Sequence, residues 1–288
     1  MQKRIVIIGS NGQIGRELVK ALYKHEIIAL THKELDITNF VATRDNLMSI
    51  NPDVVINTAA YHRVDECEKN PGQAYLVNAA AVKNLKDFCH ECDICLVHFS
   101  SDYVFKGDKI EPYTEKDIPN PLNLYGRSKL EGEEYVRLLK KHLLIRTSYV
   151  FGIGGSNQKR TNLVETLLNA GKNGKIKAVN DHFFSPTYAK DLAFKICELL
   201  EKEKYGLYHI TNSGECSVYS FAKKICEFSG INPEMEETRL AESNSNPEKA
   251  KRPPYSVLNS INLKNIGISP MRHWEEALKD YLNNKNGI

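Results

Sequence analysis

The chain has 288 residues, 41% of them apolar and 26% charged. That length suits one large domain or two modest ones, and that composition supports a packed core rather than a disordered chain. Lys and Arg number 39 against 36 Asp and Glu, a net charge of +3, which argues against a nucleic-acid or membrane-surface protein built on clustered basic charge.

The first half alternates short β-rich runs with helical patterns. Residues 3–9 form an almost continuous apolar run, as in a strand buried on both faces of a parallel sheet. Ile14, Leu18, Val19 and Leu22 then recur at helical spacing. A second strand is expected at 27–30. A helix carrying Phe40, Leu47 and Ile50 follows, stopped by Asn51-Pro52 because the proline ring disfavours helical geometry before it. Strand three is expected at 53–57. Asn70 and Pro71 suit the cap and first position of the next helix. Strand four is expected at 94–100, a helix at 124–141 and strand five at 143–147. Such alternation implies right-handed crossovers and an α/β doubly wound parallel sheet, Rossmann-like, over residues 1–150.

Beyond Val150 the pattern loosens. Residues 152–157 read as a loop, 162–172 and 187–202 as helices, and 207–211 as a strand that completes the first domain together with 184–212. Ser217 caps a helix ending near Gly230. Residues 244–255 read as loop, and 274–281 fall in a final helix. Residues 151–183 and 213–288 make up a smaller C-terminal substrate lobe. No apolar run approaches the ~20 residues that cross a bilayer. The start is basic, but its apolar stretch is short and no cleavage site follows, so it does not read as a leader. Seven cysteines without framework spacing suggest reduced thiols and a cytoplasmic setting.

Chemistry concentrates in two places. Gly9-Ser10-Asn11-Gly12-Gln13-Ile14-Gly15 sits where strand one meets helix one. Gly9 permits a tight turn, Gly12 lets backbone approach a pyrophosphate at the helix N-terminus, and Gly15 lets helix and strand pack closely. An acid about 20 residues on would meet the adenosine ribose of NAD. Asp36 and Glu34 are candidates, but His32 and Lys33 lie closer to strand two and suit a 2′-phosphate, so NADH and NADPH both stay open. The second place is Tyr125…Lys129, an i, i+4 pair sharing one helical face, with Cβ atoms roughly 5–6 Å apart. An ammonium beside a phenol favours the phenolate and makes Tyr125 a usable acid or base. Tyr219…Lys223 and Tyr281…Lys285 share the spacing, but only Tyr125 follows strand four, whose end carries Ser100-Ser101-Asp102. A Ser101 hydroxyl there suits a substrate carbonyl. Cys89-His90-Glu91-Cys92 spans a helix end and a strand start, where its side chains would diverge, so it reads as packing.

The set Gly9…Gly12…Gly15, Ser101 and Tyr125…Lys129 resembles the extended short-chain dehydrogenase/reductases. Longer strings narrow the likeness: 57–61 (NTAAY), 64–68 (VDECE), 99–107 (FSSDYVFKG), 122–129 (LNLYGRSK), 146–151 (RTSYVF), 184–187 (FSPT) and Arg252-Pro253. Together they resemble the dTDP-4-dehydrorhamnose reductase family, from the N-terminus to about Leu258. The resemblance implies NADPH- or NADH-dependent reduction of the C4 ketone of a nucleotide sugar, dTDP-4-dehydro-L-rhamnose, for polysaccharide synthesis. It implies Tyr125 as proton donor to O4, with Lys129 lowering its pKa and holding the nicotinamide ribose. Ser101, where the family usually has Thr, would bond the carbonyl, and Asp102 would orient the substrate. Cofactor contacts would come from Gly9, Asn11, Gly12, Gln13, Ile14, Gly15, Asp36, Ile37, Ala59, Ala60 and Tyr61. Arg252 suits the diphosphate. Tyr149 stands where the family commonly has a Trp packing on the sugar.

Some members bind Mg²⁺ through glutamates at a dimer contact. Glu17 matches one of these, whereas Lys190 stands where another would be, so the resemblance supplies no full Mg²⁺ site. A homodimer is possible on the same likeness. His62-Arg63 adds positive charge beside the expected active-site loop. Two other readings share the motifs. One is a nucleotide-sugar epimerase or dehydratase holding NAD⁺ tightly, though no Glu follows Asp102. The other is a non-catalytic NADP-binding regulatory subunit, as in the β subunit of methionine adenosyltransferase.

Overall fold

A computed structural model describes residues 1–153 and 162–286. Its main sheet starts from β1 (Arg4–Ile8), whose side chains alternate between two cores. Ile5 and Ile7 pack on one face with Leu18 and Leu22, while Val6 and Ile8 pack on the other with Leu47 and Val55. A strand with both faces covered needs an unbroken apolar run, which is why 3–9 reads as it does. Each such side chain contributes about 1.5–3 kcal/mol relative to exposure.

The chain continues through α1 (Gln13–Ala21), β2 (Glu26–Leu30), α2 (Phe40–Ile50) and β3 (Val54–Asn57). Then come α3 (Val64–Lys69), α4 (Pro71–Tyr75), a π-helical turn (Leu76–Ala80), α5 (Ala81–Glu91) and β4 (Cys95–Ser101). A short 3₁₀ turn (Asp102–Val104) precedes α6 (Leu124–Val136) and β5 (His142–Thr147). The sheet is six-stranded and parallel, in the order Gly206–His209, β5, β4, β3, β1, β2. Succession reverses direction between β1 and β3, and ligands of doubly wound sheets bind beyond the carboxyl ends of strands at such a reversal. Of the later segments, 189–201 packs back on the sheet, while others build a further cluster around Phe151, Phe184, Phe221, Trp274 and Tyr281. It includes a parallel pair, Lys175–Val179 with Glu234–Thr238.

Several boundaries differ from the sequence reading. The helix expected over 124–141 ends at Val136, and the following residues turn before β5. Asn70 caps no helix with its side chain; its Nδ2 donates to Glu66 O at 3.4 Å, because α3, unexpected from the sequence, ends there. The helix expected from 187 starts at Ala189, since Thr187–Tyr188 pairs with Val150–Phe151 as a short strand. The loop expected over 152–157 is described only to Ile153; its remainder lies outside the described residues. Asn51 ends α2 in the left-handed region, φ +49°, and Ser217 and Gly230 bracket the helix Val218–Ser229.

Helix α6 is pressed against its neighbours at two glycines. A Cβ at Gly126 would drive into the Tyr103 carbonyl oxygen, and one at Gly132 into that of Asn78. Between α6 and β5, Glu133 accepts a forked pair of hydrogen bonds from Arg146, at 2.8 and 2.6 Å, with both side chains fully buried. Arg146 also lies 5.1 Å from the Phe105 ring centroid and 3.4 Å from His209 Nε2. Removing one member of a buried pair strands the other charge. Glu133→Ala should therefore cost about 3–5 kcal/mol, measured by chemical denaturation; a loss below about 1 kcal/mol, the worth of an exposed pair, would contradict this assignment.

Candidate active site

A cleft of about 590 Å³ opens beyond the carboxyl ends of β1, β3 and β4. It is lined by ten of the residues singled out from sequence: Gly12, Gln13, Ile14, Ala60, Ser101, Asp102, Tyr125, Lys129, Tyr149 and Arg252. A second cavity, about 680 Å³, lies between 209–215 and 257–271, and none of those ten residues lines it.

The glycine turn is closed by its own backbone and held from the end of β3 by Thr58, whose Oγ1 donates to Gly9 O at 3.0 Å. Gly9 has φ +76°, and its carbonyl accepts from Gly12 N at 3.0 Å. A Cβ at Gly15 would stand 2.5 Å from Gly9 O and 2.7 Å from Ser10 Cα. Gly12 is the N-cap of α1 and offers no side-chain acceptor, so the first N–H groups of the helix stay available to an anion. In the wall of the same cleft, Ser100 Oγ is buried with no partner among the described residues. A bare glycine cradle and an unsatisfied hydroxyl fit a dinucleotide phosphate and its sugar. Gly9 and Gly15 shape this turn without lining the cleft, and Asn11 is exposed on it. Ala59 N donates to Asn57 Oδ1, and Tyr61 OH donates to Glu66 at 3.3 Å. Past β2, Asp36 accepts from Thr38 N and Oγ1 at 3.0 and 2.7 Å, and Ile37 packs into the core.

Tyr125 and Lys129 occupy the first two turns of α6. Asn123 fixes that start: its Oδ1 accepts from Gly126 N at 2.8 Å, and its Nδ2 donates to Lys251 O at 2.9 Å. Glu68 accepts from Leu124 N at 2.8 Å. Behind the helix, Asn78 in the π-turn donates to Ser128 Oγ at 3.0 Å and accepts from Tyr61 N at 2.9 Å, tying α6 to the loop after β3. The Tyr125 ring meets Tyr103 edge-on at 5.9 Å.

Burial, rather than Lys129, governs Tyr125: it raises the phenol above its ordinary value, while a hydrogen bond with Ser101 works the other way. The sequence reading expected the ammonium to dominate. Lys129 is itself 1% exposed, and burial lowers it to about 8 against the opposing charge of Glu133. Its Nζ lies 3.3 Å from His98 Nε2.

Asp102 is 2% exposed, and burial raises it to about 6. It collects three hydroxyls: Ser101 at 2.9 Å on Oδ1, and Ser148 at 2.8 Å and Ser256 at 2.6 Å on Oδ2. Tyr149 has φ +41°, an uncommon backbone for a non-glycine residue. Its ring lies 3.9 Å from Phe184, and its hydroxyl is 3.3 Å from Tyr103 OH. Arg252 is aimed by Asp65, which accepts from its Nη2 at 3.0 Å. Of the basic pair after Tyr61, His62 lines the cleft and Arg63 is spent on Glu66 at 2.7 Å. Glu17 accepts from Lys20 at 2.8 Å, and Lys190 lies 3.5 Å from Asp280. Among the described residues no group of three or more His, Cys, Asp or Glu is placed to hold a metal ion.

Four participants escaped the sequence reading. His98 lies inside a strand pattern that only reported burial. Ser256 and Asp65 act across 154 and 187 residues of chain; Asp65 lies in the 64–68 string, but no role was read for it. Asn162, at the start of the helix read over 162–172, caps it by accepting from Glu165 N at 3.0 Å, and also donates to Gln13 Oε1 at 3.0 Å, bracing the glycine turn.

Comparison with known proteins places this geometry. The model of the RmlD substrate binding domain matches residues 3–286. The chain is 39% identical to the spore coat polysaccharide biosynthesis protein SpsK of Bacillus subtilis, covering 98% of each. Among solved structures, a dTDP-4-dehydrorhamnose reductase from Clostridium acetobutylicum superposes with a TM-score of 0.93 at 38% identity, covering 98% of this chain and 99% of that one. A dTDP-4-dehydrorhamnose reductase from Bacillus anthracis in complex with NADP gives 0.92 at 35%, covering 99% and 100%. With its parallel sheet, its glycine turn and a family match running nearly end to end, this chain belongs to the RmlD substrate binding domain family.

Proposed function

We propose that this NAD(P)-dependent oxidoreductase reduces the C4 ketone of dTDP-4-dehydro-L-rhamnose, giving dTDP-L-rhamnose, with Tyr125 as the proton donor. The reading is carried by one observation: Ser101, Tyr125 and Lys129 meet the glycine turn in a single cleft. The names of the relatives and the NADP complex of one of them support it. In this reading residues 1–150 with 184–212 hold the cofactor, and 151–183 with 213–288 hold the sugar. Seven cysteines, an odd number without framework spacing, support a reducing, cytoplasmic setting.

When bound, the nicotinamide supplies the hydride. The open backbone N–H groups of Gln13 and Ile14, which Gly12 leaves room to approach, would hold its pyrophosphate, and Ala59, Ala60 and Tyr61 would line the nicotinamide side. Arg252 pairs with the substrate diphosphate. Tyr149, backed by the buried Phe184, gives the sugar a stacking wall, and Ser101 hydrogen-bonds the ketone oxygen. The O–H bond of Tyr125 would break as its proton passes to O4 of the sugar. A phenol kept protonated by burial is in the state that reduction requires. Lys129, charged below about 8, stabilises the phenolate left behind until solvent returns a proton.

Purified protein should oxidise NADPH or NADH when dTDP-4-dehydro-L-rhamnose is supplied, followed by absorbance. Tyr125→Phe should lose about 10²–10⁴-fold in kcat with cofactor affinity unchanged. Normal turnover in that variant contradicts the acid assignment. Tightly retained NAD⁺ would favour an epimerase, and cofactor binding without turnover of any ketosugar a regulatory subunit.

Asp102 gives a second test, through stability. Its folded pKa of about 6 lies above the 3.8 of an unfolded chain, so the folded state binds its proton more tightly. That contribution is complete below 3.8 and is lost as pH rises through about 6. Asp102→Asn removes the titration. The melting temperature of the wild type relative to Asp102→Asn should therefore rise as pH is lowered from 7 to about 4. A difference that stays flat or falls would refute the assignment.

A further inference from the structure

Lys129 has a single hydrogen-bonding neighbour among the described residues, His98 on β4. Behind His98 stands Asn57 at the end of β3, its Nδ2 3.3 Å from His98 Nδ1. All three side chains are buried to 1% exposure or less. Their polarity can be worked out from one fixed donor. Ala59 N–H donates to Asn57 Oδ1 at 3.1 Å. Rotating that amide would set its NH₂ group against the Ala59 N–H. The Asn57 NH₂ therefore faces His98, and Nδ1 must accept from it. A neutral imidazole carries one proton, which then sits on Nε2, pointing at the Lys129 amine. Burial and the neighbouring lysine both keep His98 neutral.

We propose that Asn57 and His98 are positioning residues that present an N–H rather than a lone pair to Lys129, so that the lysine holds its proton loosely in the unliganded site. The opposite tautomer would welcome an ammonium but would clash with Asn57. The network is fully satisfied when Lys129 accepts from His98 as a free amine. It is strained when Lys129 is charged, until another acceptor arrives in the cleft. The other titratable groups around this point are Tyr125 and Glu133 on α6, Arg146 on β5 and His62 in the loop after β3. Glu133 is already committed to Arg146 and does not reach the amine as a hydrogen-bond partner. Burial lowers Lys129 in the same direction as the proposed N–H contact.

This role rests on the reductase reading only where activity is the readout, so two measurements are paired. In histidine-labelled wild-type protein without cofactor at neutral pH, two-bond ¹H–¹⁵N spectra report the tautomer of His98, assigned by the signal that His98→Gln removes. The Nε2–H tautomer is expected, and the Nδ1–H tautomer or an imidazolium overturns the proposal. In the pH profile of kcat/KM, activity should fall as pH rises through about 8, where Lys129 loses its charge. His98→Gln can turn its carbonyl to the ammonium, so this limb should move up by about 1–2 pH units. A purely structural role would lower kcat and leave the limb in place, and that result also overturns the proposal. If the wild type turns over no ketosugar, the reductase reading fails while the tautomer still decides this one. If His98→Gln does not fold, His98→Asn supplies the assignment, and the wild-type tautomer decides.

Discussion

Everything at this site depends on how tightly α6 is clamped to the end of the sheet. Two glycines bring its backbone against the carbonyls of Tyr103 and Asn78, and a fully buried Glu133–Arg146 pair fixes its rotation relative to β5. That clamp leaves Tyr125 and Lys129 no solvent to face except the cleft. A helix a side-chain layer further out would hydrate the lysine and return both groups to their ordinary titration. The chemistry is thus a consequence of close packing before it is one of residue type. The cost of the clamp is a pair of interior charges that must stay matched.

Burial then sorts the protons. The phenol of Tyr125 is held protonated, the amine of Lys129 is weakened as a base, and the carboxyl of Asp102 titrates near neutral pH despite three hydroxyl donors. All three shifts favour uncharged forms, as expected for groups withdrawn from water. Bound hydroxyls and phosphates would supply hydrogen-bond partners to groups withdrawn from water in this way. The glycine turn adds uncommitted N–H groups, and Ser100 an uncommitted hydroxyl, at the places where a dinucleotide would meet them.

Much of this was legible in the sequence. The buried parallel strands announce themselves as unbroken apolar runs, and the glycine turn falls where strand one meets helix one. Tyr125 and Lys129 were singled out by spacing together with the serine-bearing end of strand four. The electrostatic weighting was not legible. An i, i+4 pair suggests mutual attraction, but whether attraction or desolvation dominates depends on depth, and depth comes from Gly126 and Gly132 meeting distant carbonyls. The roles of Ser256 and Asp65 were invisible for a related reason: each reaches its partner across most of the chain. His98 was read as one more buried position, because periodicity reports that a side chain is inside and not what it touches there. Asn162 shows the intermediate case: the helix start there was read from the sequence, but its bond to Gln13 was not.

The central claim is that the Tyr125 hydroxyl meets the sugar oxygen beside the nicotinamide. It is tested most directly by a crystal structure of the protein with NADP⁺ and dTDP-L-rhamnose. The account predicts Tyr125 Oη within about 2.6–3.2 Å of the sugar O4, with the nicotinamide C4 facing the sugar C4. A sugar bound with O4 turned from Tyr125, or seated outside this cleft, would contradict it.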